Sequence, residues 1–490
     1  MSLTKVSYSM VRGAPINLLD FGAVPNDVAS AAANKTAMLA AIAYAVANNR
    51  PEIVVPGLFY MVGDIEITNY QITISGQSSA YKYYSIGPSP SSIIIFTSGT
   101  TGFNVATAPP TYPNADYFCL RDITIDGNDV VNYGCLVSGA KLFERATVQN
   151  FVVAGITLAN LTNATLINQC ALLENGIGLQ VLGQGTTVFS VTDTNIRNNT
   201  VGVEMKGGKG VRFQNCVIES NTSYALHINV PAGQNVGNVT FERTWFENNN
   251  YVGNTEQIRI EGVDADPDIY MLTFSHCLFD TLGNTSDKDF YINGGTWARF
   301  DRCQFTNGIS SGIELTTKAK FTQFFNCERG ASDSSPLTFI TNNGYGTTIN
   351  ENNFNFVGPN LRTSSTWTNV GYTTFSSTGN KITNAISASG SVSATLSAIA
   401  RGKGQSYCLQ IFIEYTSGQL PTLTLTNGDN TTQLLNSALL ADINTFYFTE
   451  TVTGSSGVLT LSNTAACNYR MFVNLIEYET SRGYIQFDAG

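Results

Sequence analysis

An apolar residue, two mostly polar residues, then Cys or Thr, one variable residue and a second apolar residue recur along the middle of the chain. The frame reads Phe213, Cys216, Ile218; Phe241, Thr244, Phe246; Phe274, Cys277, Phe279; and Phe300, Cys303, Phe305. Ile167 to Cys170, Val191 to Thr194 and Phe324 to Cys327 fit it too. Followed through Ile123, Phe151, Cys170, Thr194, Cys216, Thr244, Cys277, Cys303 and Cys327, its fourth position advances by 28, 19, 24, 22, 28, 33, 26 and 24 residues. Such a period, without leucine-rich or WD signature residues, predicts a solenoid in which each coil holds three short strands and variable loops absorb the differences in length. Stacked coils bring equivalent residues to about 4.8 Å, so five Cys and two Thr are expected to form an inward ladder of small side chains.

The pattern changes at both ends. From Ala31 to Asn49, Met38, Leu39, Ile42, Ala45 and Val46 recur at helical spacing, with Asn48, Asn49 and Pro51 as a stop. An open first coil exposes apolar core and a strand edge, so a capping helix is expected there. Past Gly358 the frame ends, and Ser364 to Gly379 is rich in Ser, Thr and Gly, which reads as a connector. Runs such as Cys408–Ile413, Thr422–Thr426 and Tyr469–Ile476 then alternate apolar with polar residues and predict a β-sandwich. The expected organisation is a lead-in and capping helix over 1–50, coils over 51–362, a connector over 363–380 and the sandwich over 381–490.

Composition agrees with an all-β chain: 13% of residues are charged and 11% are aromatic. A net charge of −10 disfavours a phosphate backbone or an anionic membrane surface as partner. No run of about 18 apolar residues appears, so no membrane insertion is expected; nor does the N-terminus hold an unbroken secretory apolar region. Nine cysteines without a CxxC pair argue for buried reduced thiols rather than disulfides or a zinc site. Two histidines, His227 and His276, leave little for a multi-histidine metal site or a Ser-His-Asp triad. Asp264, Asp266 and Asp268 alternate like calcium ligands but lack the spacing of an EF-hand, so a solvated acidic turn is the better reading. No metal and no cofactor are called for.

Asn17-Leu-Leu-Asp-Phe-Gly-Ala-Val24, the alanine-rich helix and Ile53-Val-Val-Pro-Gly-Leu-Phe-Tyr60 together resemble the first turn of the pectate-lyase-like superfamily found in bacteriophage tailspikes. Thr4 to Ala14 is similar to the lead-in of many such phage proteins. Pro25-Asn-Asp-Val-Ala29 departs from the family, which usually has an Asp-Gly pair with further acids at that point. The resemblance implies a right-handed parallel β-helix that binds long saccharide chains on its outer surface. It further implies a homotrimer carried on a virion tail or baseplate through its N-terminus, acting outside the host cell on capsular or O-antigen polysaccharide. In such spikes the C-terminal domain trims the helix, holds the trimer or binds sugar.

Three residues past Cys216, Thr244 and Cys277 come Glu219, Glu247 and Asp280. Alternation points Ile218, Phe246 and Phe279 inward and stacks these acids outward on consecutive coils. Adjacent carboxylates oppose each other's ionisation and raise at least one pKa, which suits an acid/base pair. The spacing admits either the retaining or the inverting geometry of glycoside hydrolysis. One residue before the ladder lie Arg243, His276 and Arg302, expected to compensate the acids by their charge and, with Trp245 facing out as a platform for a sugar ring, to bind the substrate. Loops Pro231 to Gly237 and Tyr251 to Glu256 are expected to wall a groove. The plainer alternative is a set of surface ion pairs. The expected activity is carboxylate-pair hydrolysis; a uronate lyase using His276, an Arg or a Tyr and a non-catalytic receptor-binding tail protein are the alternatives.

Overall fold

The computed structural model describes residues 15–329 apart from 68–70, 79–91, 106–117, 160–161, 184, 251–255, 263–267, 281–287, 307–311 and 326; after 329 it describes separate strand segments. Asp264 and Asp266, the Tyr251–Glu256 loop but for Glu256, and the lead-in Thr4 to Ala14 lie outside the described residues. The chain divides into two compact units. One comprises Met1–Ile309 with Phe324–Ser334 and Asn350–Asn353, the other Ser310–Gln323 with Ser335–Ile349 and Phe354–Gly490.

The first unit is a parallel β-helix. Each coil contributes one strand to each of three sheets, and every strand pairs in parallel with its counterpart a coil away. The first sheet runs from Ile16–Asn17 through Gly208–Gln214 and Asn235–Glu242 to Thr296–Asp301. The third, made of strands of mostly three residues such as Val217–Glu219, Trp245–Glu247 and Leu278–Asp280, runs from Leu58–Val62 to Glu328–Arg329. The second sheet runs from Ile65–Glu66 through Tyr224–Val230 to Lys288–Asn293.

Stacking in register places like residues over like. Phe213, Phe241, Phe274, Phe300 and Phe324 form a continuous stack with ring centroids 4.6 to 5.1 Å apart, and Phe246, Phe279 and Phe305 form another at 5.0 and 4.9 Å. Each pair adds about 0.5–1.5 kcal/mol to the burial of its rings. The expected small-residue ladder is buried throughout, from Cys170 and Thr194 to Cys327. Burial pushes the Cys216 thiol up to about 11 and that of Cys170 to about 12, so both stay protonated packing groups. One step of the frame is corrected: the register puts Ala146, not Phe151, between Ile123 and Cys170. Phe151 instead fills the core beyond the third-sheet strand Thr147–Gln149, against Phe96.

The capping helix spans Ala31–Ala47. It buries Ala37, Met38, Ala41, Ile42 and Ala45, whereas Leu39 faces solvent. Asn34, fully buried, ties the cap to the first coil. It accepts from the Val24 N–H at 2.7 Å and donates to the carbonyls of Val24 and Tyr60 at 3.0 and 2.8 Å.

The second unit contains the parallel strands Ile313–Leu315, Ile340–Asn342 and Phe356–Val357. Its C-terminal part is a β-sandwich of two five-stranded antiparallel sheets, with Ser406–Gly418 and Cys467–Tyr478 as the longest strands. Thr368–Val370 and Thr374–Thr378, inside the stretch expected as a connector, are strands of these sheets, since Ser- and Thr-rich sequence alternates as well as it loops.

Candidate functional site

Two short turns shape every coil. Between the first and third sheets stands a single residue in the left-handed conformation: Asp122, Arg145, Gln169, Asp193, Asn215, Arg243, His276 and Arg302, with φ between 47° and 54°. Each donates its N–H to a carbonyl of the next coil, as Arg243 does to Ser275, His276 to Asp301 and Arg302 to Phe325. The bend is therefore hydrogen-bonded along the whole stack, and the eight side chains form one column at the corner.

At the other end of the third-sheet strands a second left-handed residue precedes a buried asparagine. Asn175, Asn199, Asn221 and Asn249 are stacked, and each of the last three receives the backbone N–H and the side-chain amide of its predecessor on Oδ1 at 2.8 to 3.1 Å. This ladder fixes the ends of the strands that carry the acids. Its sequence signal was the recurrent Asn two residues beyond Leu173, Arg197, Glu219 and Glu247, masked by the many other Asn residues in turns.

The acids stand in one register column. Arg197 pairs with Glu219, Glu219 with Glu247, and Glu247 with Asp280 across adjacent third-sheet strands. Ile218, Phe246 and Phe279 between them are fully buried, so the carboxylates face outward. Arg197, with its side chain only 9% exposed, binds Glu219 at 2.9 Å. No hydrogen bond or ion pair among the described residues reaches the Glu247 carboxylate. Partial burial, together with Glu219 and Asp280 on either side, raises its pKa above the ordinary carboxylate value. Trp245 shares its strand and face and is 43% exposed.

The expected compensation by Arg243, His276 and Arg302 is not what the geometry provides. They occupy the corner, where Arg243 and His276 act electrostatically on Glu242, while Arg212, at 2.5 Å, is the main cause of that group's lowered pKa. The cation on the acid column is Arg197, three residues past Thr194 and legible from the same frame. Of the loop expected over Pro231 to Gly237, only residues before Asn235 are loop, because Asn235–Glu242 is a strand.

A further polar group lies on the second sheet, where Glu204, His227, Arg259 and Tyr291 are in register. His227 approaches Glu261 at 3.3 Å, Arg259 binds Glu256 and Glu261 at 2.6 and 3.0 Å, and its guanidinium lies 4.8 Å from the Tyr291 ring centre. Burial opposes ionisation of Glu261, but hydrogen bonds from Arg259 and His227 prevail and hold it below the usual range. These residues are satisfied within their own network.

Parallel coils, two hydrogen-bonded corner ladders and an outward acid column define a β-helix protein. Residues 123–264 match the family described as right handed beta helix region. The chain is similar to several solved structures. The enzymatically active domain of tailspike protein 4 of bacteriophage CBA120 is 13% identical, with 94% of this chain and 68% of that one covered, at a TM-score of 0.46. ORF18 of Geobacillus virus E2 is 15% identical over 87% and 77%, at 0.43. The surface protein and adhesin PfbA of Streptococcus pneumoniae is 8% identical over 69% and 100%, at 0.43. No curated protein matches the chain significantly.

Proposed function

We propose that the protein is a tailspike-like depolymerase that holds a bacterial surface polysaccharide on the outer face of its third sheet and cleaves it by carboxylate-pair hydrolysis. The observation that carries this reading is the state of Glu247: a half-buried carboxyl between two acids, without a partner among the described residues and biased toward its protonated form. A general acid needs that bias at neutral pH. Glu219 is committed to Arg197, and Asp280, in register with Glu247 on the next strand, is taken as the second carboxylate. Glu247 and Asp280 lie on adjacent strands, whose spacing of about 4.8 Å is close to the separation of roughly 5–5.5 Å in retaining enzymes. Glu247 then protonates the glycosidic oxygen, Asp280 attacks the anomeric carbon, and water releases the sugar with Glu247 acting as base. Trp245 stacks on a sugar ring beside them. The phage context, the homotrimer and the virion-tail location rest on the resemblance of the N-terminal segment.

The test is to incubate the protein with a panel of capsular and O-antigen polysaccharides and follow new reducing ends together with absorbance of unsaturated uronates. Reducing ends alone support the hydrolase. Both signals together indicate a lyase, and binding without either indicates a receptor-binding protein.

A further inference from the structure

The corner column changes character halfway along the stack. In its early part the charged residues are paired or hydrogen-bonded within the column or beside it: Arg145 binds Asp122 at 2.6 Å and Glu144 at 2.8 Å, and Asn215 donates to Asp193 at 3.1 Å. The last three places hold Arg243, His276 and Arg302. Among the described residues, neither Arg243 nor Arg302 has a carboxylate within ion-pair distance. The acids nearest in sequence are already occupied, Glu242 by Arg212 at 2.5 Å and Asp301 by Arg299 at 3.5 Å. Three nitrogen-bearing side chains thus stack on consecutive coils, all exposed, held parallel by a common left-handed backbone with φ 49°, 54° and 52°.

The guanidinium groups of Arg243 and Arg302 stand two coils apart with His276 between them, and nothing in the fold demands cations there, because Gln169 occupies the same slot at φ 53°. His276 shows how the stack is accommodated. Its Nε2 is 3.4 Å from the Arg302 guanidinium, which can only donate, and its Nδ1 is 2.9 Å from Ser275 Oγ. Nε2 is therefore placed to accept from Arg302, with Nδ1 facing the Ser275 hydroxyl. The acid column begins four residues further along the chain, at most roughly 13 Å away. The cations and the acids occupy different parts of one surface with Trp245 between them, and it is Glu219 and Asp280, not the cations, that act on Glu247.

We infer that Arg243, His276 and Arg302 form a subsite for a negatively charged substituent of the saccharide, a carboxylate, sulfate or phosphate, so that the substrate class is an acidic polysaccharide. The inference rests on the third-sheet reading given above. The substituent accepts hydrogen bonds from the two guanidinium groups, draws Arg302 away from His276 Nε2, and sets the register of the chain so that a neighbouring linkage lies over Glu247.

The protein's two histidines make the test direct. His-labelled protein is titrated with oligogalacturonate, a sulfated chondroitin oligosaccharide, a neutral glucan oligomer and inorganic sulfate, and the imidazole signals are followed by NMR. Movement of His276 with at least one anionic oligosaccharide and not with the glucan, while His227 stays still as a control for folding, is the expected result. In R243Q/R302Q the apparent Kd rises by about tenfold or more, the loss expected for charged hydrogen bonds. Equal response to the glucan, an unchanged Kd in R243Q/R302Q, or no anionic oligosaccharide binding more tightly than sulfate overturns the inference. Equal cleavage by wild type and R243Q/R302Q of a polymer without acidic groups also overturns it and leaves the hydrolase standing; an anion-specific His276 response in a protein that cleaves nothing does the reverse.

Discussion

Replacing Asn199 by alanine removes the middle of the buried asparagine ladder. Its side chain accepts from the Asn175 N–H and Nδ2 at 2.9 and 3.1 Å and donates to the Leu172 carbonyl and Asn221 Oδ1 at 3.0 and 3.1 Å. The Asn175 N–H is buried and loses its acceptor, at about 1–3 kcal/mol, and the other three bonds are worth about 1 kcal/mol each. The expected loss is about 4–6 kcal/mol, so at least about a thousandfold, concentrated in neighbouring coils because each coil contacts only its neighbours. Native-state hydrogen exchange reads this locally: the Asn175 amide should exchange about a thousandfold faster, while the Arg302 amide, several coils away on Phe325 O, keeps its protection. A change below about tenfold at Asn175, or equal loss in both places, would refute the claim that the ladder holds the strand ends.

Arg197→Met leaves Glu219 with its side chain 21% exposed and no cation; this lowers stability by about 2 kcal/mol in urea unfolding, below the usual buried-pair value because Glu219 is partly solvated, and adding Glu219→Gln restores most of it. Glu247 has a raised pKa in the folded protein, so the native state holds its proton more tightly and stability falls as pH rises from the unfolded value of about 4.3 through the raised one. Glu247→Gln therefore melts higher than wild type at pH 7, and the advantage shrinks as pH drops below the unfolded value; a lower melting temperature at pH 7 would contradict this. Val188 is 65% exposed with φ 51°, a conformation that costs a β-branched residue about 1–2 kcal/mol. Val188→Asn should raise the urea midpoint by about 1 kcal/mol equivalent, and a fall would show that the side chain packs or binds in a way its exposure hides.

The solenoid was legible because its core is written twice, in the Phe and Cys/Thr positions of the frame and in the alternation around them. Those signals also oriented Glu219, Glu247, Asp280 and Trp245, since a three-residue strand with a buried centre leaves no choice of face. Ala146 was missed because a small apolar residue carries little identity, and Phe151, five residues on, mimicked the frame. The left-handed corners were invisible for a different reason: Asp, Arg, Gln, Asn and His all occupy them, so the constraint lies in the coil-to-coil hydrogen bond rather than in residue type. The cluster around His227 and Arg259 escaped because loops of unequal length separate the third and second sheets, and register cannot be counted across them. Arg197 is legible by the same count, one coil before Glu219 in the column.

The proposed hydrolysis turns on Glu247 as the proton donor beside Asp280. The decisive measurement is the initial rate of reducing-end release by Glu247→Gln, compared with wild type on whichever panel polysaccharide the latter cleaves, with binding followed in parallel. A rate lowered by at least about a hundredfold, as loss of general acid catalysis predicts, with binding retained, is the expected result. A Glu247→Gln protein that cleaves at the wild-type rate would contradict it.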